Sequence, residues 1–330
     1  MTDSPLLELD DLRITRNIGR RRSALVDGVD LVVGESESVG LVGESGSGKS
    51  LSIKAGMRLL SSALESSGSI RFGGRDVMKM NGKELARYRA SEVALIHQDP
   101  RAHINPTRTI GQFVVEGVVQ TRVMNKSDAY RVGCELMRDV GIPDAERRMS
   151  QFPHELSGGL LQRVMIVAAL LTNPKMIFAD EPTTALDVTV QSDVMAILLE
   201  QVRDRHASML FVTHDLDLAA AVTDRLAVMY AGRIVECGLS KDVYSRPQHP
   251  YTAALLQSRP STTHVRRLKS IAGAPIAAYE VASGCSFAPR CPYATDRCRT
   301  ERPEPRQVNG RSVTCHRAEE LSTELQELAS

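Results

Sequence analysis

Gly43-Glu44-Ser45-Gly46-Ser47-Gly48-Lys49-Ser50 fits the pattern G-x-x-x-x-G-K-[ST]. Glycines let a backbone wrap an anion with its N–H groups turned inward. A helix beginning near Lys49 would present the positive end of its dipole to the same anion. In such a loop Lys49 neutralises the β- and γ-phosphates of a nucleoside triphosphate, the Ser50 hydroxyl ligates Mg²⁺, and Leu51 carries the chain into the helix. Residues 37–42 form an apolar strand pattern that runs into the loop, and residues 50–60 carry a helical pattern after it. The stretch therefore reads strand, phosphate loop, helix. Alone it defines a P-loop nucleotide-binding protein and no narrower class.

Working outward, residues 6–9 and 12–14 read as an opening pair of strands, 16–22 as a basic turn, and 25–33 as a half-buried alternating strand. Residues 84–96 read as helix and then extended chain. From about 98 to 162 the pattern is mostly helical, clearest at 110–124 and 127–140. Short apolar strands fall at 176–179 and 209–213. Strands alternating with helices indicate an α/β fold with a parallel sheet, and the helical middle reads as an insertion. Pro and His thicken after about residue 245, marking a loop-rich extension, and Leu321, Leu325 and Leu328 share one face of a short terminal helix.

The other motifs narrow the class. Leu156-Ser157-Gly158-Gly159, continuing to Gln162-Arg163, opens a helix with a serine and two glycines, which is a second anion site. Met176-Ile177-Phe178-Ala179-Asp180-Glu181 is an apolar strand ending in two acids, where α/β sheets place their ligands. In this order the motifs resemble those of the ABC-type ATPases over residues ~6 to ~240. The resemblance implies a P-loop NTPase core with a mixed sheet and a RecA-like subdomain, a helical subdomain and, here, a small Cys-rich C-terminal extension. It implies ATP with Mg²⁺ as ligand. Asp180 would hold Mg²⁺ and Glu181 would act as general base on the attacking water. Gln98 matches the Q-loop glutamine that reaches Mg²⁺, and His214 the switch histidine. Pro182-Thr183-Thr184-Ala185-Leu186-Asp187 resembles the D-loop. Ser157, Gly158, Gly159 and Gln162 would close on the ATP held by a second module.

One position departs from the family. Arg16 stands where an aromatic ring usually stacks on adenine, and no Phe, Tyr or Trp precedes Phe72. The readings are guanidinium stacking, weak base recognition, or a solvated arginine on a basic turn.

Arg246-Pro247-Gln248-His249-Pro250-Tyr251-Thr252 resembles the motif after the ATPase core in oligopeptide, dipeptide and nickel importer subunits. The expected division is an ATPase domain at 1–244, with the helical subdomain at about 99–163, and an extension at 245–330. The resemblance implies a paralogous second ATPase, two transmembrane permease subunits that dock near residues 99–113, and indirectly an extracytoplasmic solute-binding protein. The alternative is a non-transport ABC regulator that binds nucleic acid through its cysteines. The net charge of +1, the absence of Trp and the few aromatics weigh against that alternative. No apolar run reaches the roughly 18 residues of a membrane span, and the first residues do not read as a signal peptide. The expected place is the cytoplasmic face of the membrane.

Cys285, Cys291, Cys298 and Cys315 crowd into the extension, whereas Cys134 and Cys237 lie apart. Four thiolates suit tetrahedral zinc or a [4Fe–4S] cluster. Zinc sites usually show close C-x₂₋₄-C pairs, and none occurs here. The resemblance to the importer branch implies the [4Fe–4S] cluster, with zinc or no metal as the alternatives.

Overall fold

In the computed structural model, residues 5–18, 21–184, 187–258, 270–281 and 283–329 are described. The chain folds as two units. One comprises Gly34–Glu37 and Lys79–Leu210, and the other comprises residues up to 33, 38–78 and from 211 onward.

The second of these units begins with an antiparallel sheet ordered Arg21–Val33, Leu7–Ile18, Leu64–Phe72 and Arg75–Asp76. Residues 6–14 are one strand and not the pair expected. Leu7 and Leu9 are buried, and so are Leu12 and Ile14, which breaks strict alternation by one residue. A bulge absorbs the extra residue: the register shifts between Asp10 and Arg13, and Asp11 takes φ 45°. The partner strand accommodates it with Gly68, whose added Cβ would lie 2.3 Å from the Asp11 carbonyl oxygen. The basic turn shrinks correspondingly, because pairing extends through Ile18 and Arg21.

In the same unit Ser38–Val42 pairs in parallel with Arg225–Tyr230, which turns back into antiparallel Arg233–Leu239. Ala231 and Gly232, both at positive φ, make the tight turn between them, a geometry matched to strand twist. That hairpin carries no strong period-2 signal, and it goes unread in the sequence alone. The extension then adds Arg311–Val313 to Arg233–Leu239, and Arg306–Val308 to Arg311–Val313. Leu321 and Leu325 of the helix Ala318–Ala329 bury against Ala253, with Leu328 packed alongside, as the helical face predicts.

In the other unit Val93–Ile96 and Met176–Asp180 pair in parallel. Between them lie the helices Pro100–His103, Ile110–Gln120, Lys126–Asp139, Ala145–Ser150 and Gly158–Leu170. Each of the first three starts on a polar cap: Asp99, Thr109 in a capping box with Gln112, and Asn125. The helix Val188–Asp204 follows, capped by Asp187.

Glu236 joins the extension to the sheet. It is fully buried and accepts from the backbone N–H groups of Gln248 and His249 at 3.0 Å each and from Arg311 Nη1 at 3.1 Å. A buried carboxylate is tolerated only with such partners. Replacing it by alanine leaves the Arg311 guanidinium buried with its carboxylate partner gone. The expected result for Glu236→Ala is a loss of roughly 3–5 kcal/mol, read as a lower denaturant midpoint, with earlier proteolysis after residue 245.

Candidate active site

The strand Ser38–Val42 is apolar and buried, and it delivers the chain to Gly43. A Cβ on Gly43 would lie 2.0 Å from the Met229 carbonyl oxygen, so only glycine lets the loop pass this close to Arg225–Tyr230. Gly48, at φ 106°, is the N-cap of the helix Lys49–Gly56, and no side chain caps that helix. The start of this helix, with the positive end of its dipole, therefore faces the loop with no side-chain cap over it. Lys49 is buried and donates from Nζ to the carbonyls of Gly43 at 2.7 Å and Glu44 at 3.0 Å. Ser47 Oγ is buried without a hydrogen-bond partner among the described residues. Ser50 and Leu51 are half-buried, and Ser45 and Gly46 are exposed at the loop tip. A loop of this build holds a phosphate chain by backbone donors and one ammonium.

His214 is exposed at the end of the buried strand Ser208–Thr213. Its turn is braced on both sides. Thr213 Oγ1 accepts from Asp215 N at 3.0 Å, and Asp215 caps the helix Leu216–Val222. Arg16 is exposed and pairs through its backbone with Ser23 and Leu64.

In the other unit the strand Met176–Asp180 is buried up to Ala179, and Asp180 and Glu181 emerge half-buried at its C-terminal end. Glu181 takes φ 47°, a strained conformation for a non-glycine residue that sharply redirects the chain. Gln98 Nε2 donates to Glu181 Oε2 at 3.3 Å, and Thr184 Oγ1 donates to the same oxygen at 2.9 Å. The fold thus joins Gln98 to the carboxylate of Glu181, directly after the strand Met176–Asp180. The motif reading passed over Thr184 as part of the D-loop, and its contact with Glu181 appears only in the folded chain. Ala185 and Leu186 of that loop lie outside the described residues.

Ser157 is exposed and caps the helix Gly158–Leu170, its Oγ accepting from Leu160 N at 3.4 Å. Gly159 must be small, because a Cβ there would lie 2.6 Å from Val190 Cγ1. Gln162 is fully buried, and neither amide atom has a hydrogen-bond partner among the described residues. The same unit has a groove of about 630 Å³ lined by His97, His103, Phe113, Val114 and Met165, with the His97 and His103 rings stacked at 3.7 Å.

In the extension, Cys285, Cys291, Cys298 and Cys315 line one small cavity together with His249 and Phe287. The loop is closed by Cys285 N donating to the Cys298 carbonyl at 2.8 Å. Burial pushes the Cys291 thiol up to about 11 and the Cys315 thiol up to about 12. Both are protonated near neutrality, and any metal bound there must displace protons. Among the described residues no three His, Cys, Asp or Glu side chains gather at one metal-ion position, and none of the six cysteines is in a disulfide.

Comparison with known proteins agrees with this geometry. Residues 26–184 match the family described as ABC transporter, and residues 235–298 match the oligopeptide/dipeptide transporter C-terminal region. The dipeptide transport ATP-binding protein DppD of Haemophilus influenzae is 41% identical over 313 residues, 94% of this chain and 95% of that one. The oligopeptide transport ATP-binding protein OppD of Salmonella typhimurium is 39% identical, covering 96% of this chain and 95% of its own. Among solved structures, the dimeric ATP-binding cassette MJ0796 in a post-hydrolysis state with ADP and Pi superposes with a TM-score of 0.63 at 24% identity. That likeness concerns the fold, and it covers 71% of this chain and 98% of the cassette. An ATP-binding subunit of an ABC transporter is similar at 28% identity and a TM-score of 0.59, covering 72% of this chain and 91% of its own.

The fold and the site define an ABC-type ATPase. The chain belongs to the ABC transporter ATP-binding family, in the branch of the dipeptide and oligopeptide transport ATP-binding proteins. The expected fold class stands: an ABC ATPase with a mixed α/β architecture and helical elements.

Gly43→Ala tests the loop's close approach. The loop must shift to relieve the contact with Met229, so ATP affinity should fall at least roughly tenfold, measured by calorimetric titration, with far-UV circular dichroism unchanged.

Proposed function

We propose that this chain powers the uptake of peptides or peptide-like solutes as the ATP-hydrolysing subunit of an importer. The observation that carries this reading is the match of residues 235–298 to the transporter C-terminal region, within relatives that align over nearly the whole chain. In this reading Gly43, Glu44, Ser45, Gly46, Ser47, Gly48, Lys49, Ser50 and Leu51 receive the phosphates. Ser50, Gln98 and Asp180 serve Mg²⁺. Glu181 activates water, held by Gln98 and Thr184, and His214 contacts the γ-phosphate. Ser157, Gly158 and Gly159 meet the ATP of a second module, with Gln162 shaping that helix from inside. Arg16 lies at the adenine end. The ATPase domain ends near 244, and residues 245–330 form the importer-type extension.

The second module is a paralogue, and two permease subunits complete the assembly, with a solute-binding protein outside. No helix among the described residues is long and apolar enough to cross a membrane, so the membrane step needs such partners. The chain works at the cytoplasmic face. The groove lined by His97, His103, Phe113 and Met165 has the apolar, concave character suited to a permease helix, beside the expected docking residues 99–113.

The four cysteines of the extension would hold a [4Fe–4S] cluster. What supports this reading is that the four thiols line one small cavity, although among the described residues no three His, Cys, Asp or Glu side chains stand close enough to hold a metal ion. Such a cluster would supply electron transfer or a structural staple. The chain's own share is four sulfurs, Cys298 and Cys315 buried and Cys285 and Cys291 half-buried, and the loop that closes them.

Reconstituted with its permeases, the Glu181→Gln variant should bind ATP with near-normal affinity yet lose about 100-fold or more in turnover and all peptide uptake. Uptake that persists without turnover would sink the assignment, as would co-purification with nucleic acid in place of membrane subunits. Purified without oxygen, the protein should contain iron and acid-labile sulfide in equal amounts and absorb in the visible. A colourless protein with stoichiometric zinc would refute the cluster.

A further inference from the structure

The extension touches the phosphate loop directly, through Glu44. Arg290 sits between Cys285 and Cys291 in the short turn Ala288–Arg290, and its side chain is almost wholly buried. It grips the Glu44 carboxylate with two nitrogens: Nη1 to Oε2 at 2.7 Å and Nη2 to Oε1 at 3.1 Å. Its Nε donates to the Ala272 carbonyl at 2.8 Å, and Nη1 also reaches Tyr230 Oη at 3.4 Å. The guanidinium is therefore held at both ends and aimed at one carboxylate. Tyr251, from the helix Pro250–Gln257, accepts from Glu44 N at 2.9 Å. Its ring is fully buried against Tyr230 and Phe287. Glu44 is thus fixed by its N–H and its carboxylate from the extension, while its carbonyl accepts from Lys49.

We infer that Arg290 and Tyr251 are positioning residues for ATP: they neutralise and orient Glu44 so that the phosphate loop accepts a polyanion. The inference rests on the reading of residues 43–50 as the ATP site. The physical need is plain. Glu44 places a negative charge on a loop built to bind a triphosphate, and like charges repel more strongly in a partly buried site than in water. A bidentate arginine cancels that charge and sets the carboxylate's direction, which a lysine could do only in part. Tyr251 fixes the direction of the Gly43–Glu44 peptide, whose carbonyl, that of Gly43, accepts from Lys49 Nζ at 2.7 Å. Tyr251 and Arg290 both lie within residues 235–298, the part of the chain that matches the oligopeptide/dipeptide transporter C-terminal region.

The test uses the full-length protein and MgATP, measuring binding by titration and turnover with its partner subunits. Arg290→Ala should raise the ATP dissociation constant and KM roughly tenfold, equivalent to ~1.4 kcal/mol, with kcat changed far less. Arg290→Lys should recover part of the loss. The double variant Arg290→Ala/Glu44→Ala should recover most of it, because the uncompensated carboxylate is gone. Tyr251→Phe removes one oxygen with the ring kept, and should weaken ATP about two- to fivefold; it remains informative where Arg290→Ala fails to fold. Binding of ATP within twofold of wild type by both Arg290→Ala and Tyr251→Phe overturns the inference. So does a double variant that is weaker than Arg290→Ala alone. Lys49→Ala is the control for the underlying reading: if it binds ATP like wild type, the site assignment fails, whereas its loss together with normal Arg290→Ala binding rejects only the role of the extension.

Discussion

Glu236 is a fully buried carboxylate on an interior strand, and the chain around it is arranged to satisfy it. Its oxygens accept from Gln248 N, His249 N and Arg311. Those three bonds bring in the Pro/His segment and the added strand Arg311–Val313. His249 then caps the helix Pro250–Gln257 through Nδ1, accepting from Tyr251 N at 3.0 Å. That cap sets Tyr251 under the phosphate loop, and the aromatic packing of Tyr230, Tyr251 and Phe287 carries the order on to Arg290. One desolvated charge that must be paired thereby links the sheet, the extension and the nucleotide loop.

The same logic separates fixed from adjustable parts of the candidate site. The glycine loop is fixed by backbone contact at Gly43 and by the left-handed Gly48, so its path follows from steric exclusion. The acidic end at Asp180 and Glu181 is fixed differently. A buried strand ends, the backbone of Glu181 turns through positive φ, and Gln98 and Thr184 hold one carboxylate oxygen. Strain of this kind persists only where the surroundings over-determine it. His214 depends on neither device. It stands exposed on a turn braced by Thr213 Oγ1 on one side and the Asp215 cap on the other.

The extension is a small, loop-rich segment with a modest core of its own. Val308, Val313, Cys315 and Ala318 form one cluster, and Ala253, Leu321 and Leu325 another. Segments with cores this small commonly rely on a metal or a cross-link for added stability. The half-buried Cys285 and Cys291 flank the short turn that carries Arg290, so this end of the cysteine cavity adjoins the grip on Glu44.

The sequence by itself determined the phosphate loop, the acidic strand, the signature helix and the terminal helix face. Each rests on chemistry within a few consecutive residues: glycines where backbone must bend, an apolar run where a strand is buried, a serine where a helix starts. It misread the first strand as two, because a bulge that shifts alternation by one residue looks locally like a break. It passed over the hairpin Arg225–Leu239, the contact of Thr184 with Glu181, and the grip of Arg290 on Glu44. Only tertiary structure decided these. Gln98 and Glu181 are 83 residues apart, and Arg290 and Glu44 are 246 apart. A charge pair across such a distance leaves no local pattern: any exposed Arg or Glu has the same sequence neighbours. What selects Arg290 is burial, which makes one particular pairing necessary, and burial is a property of the folded chain.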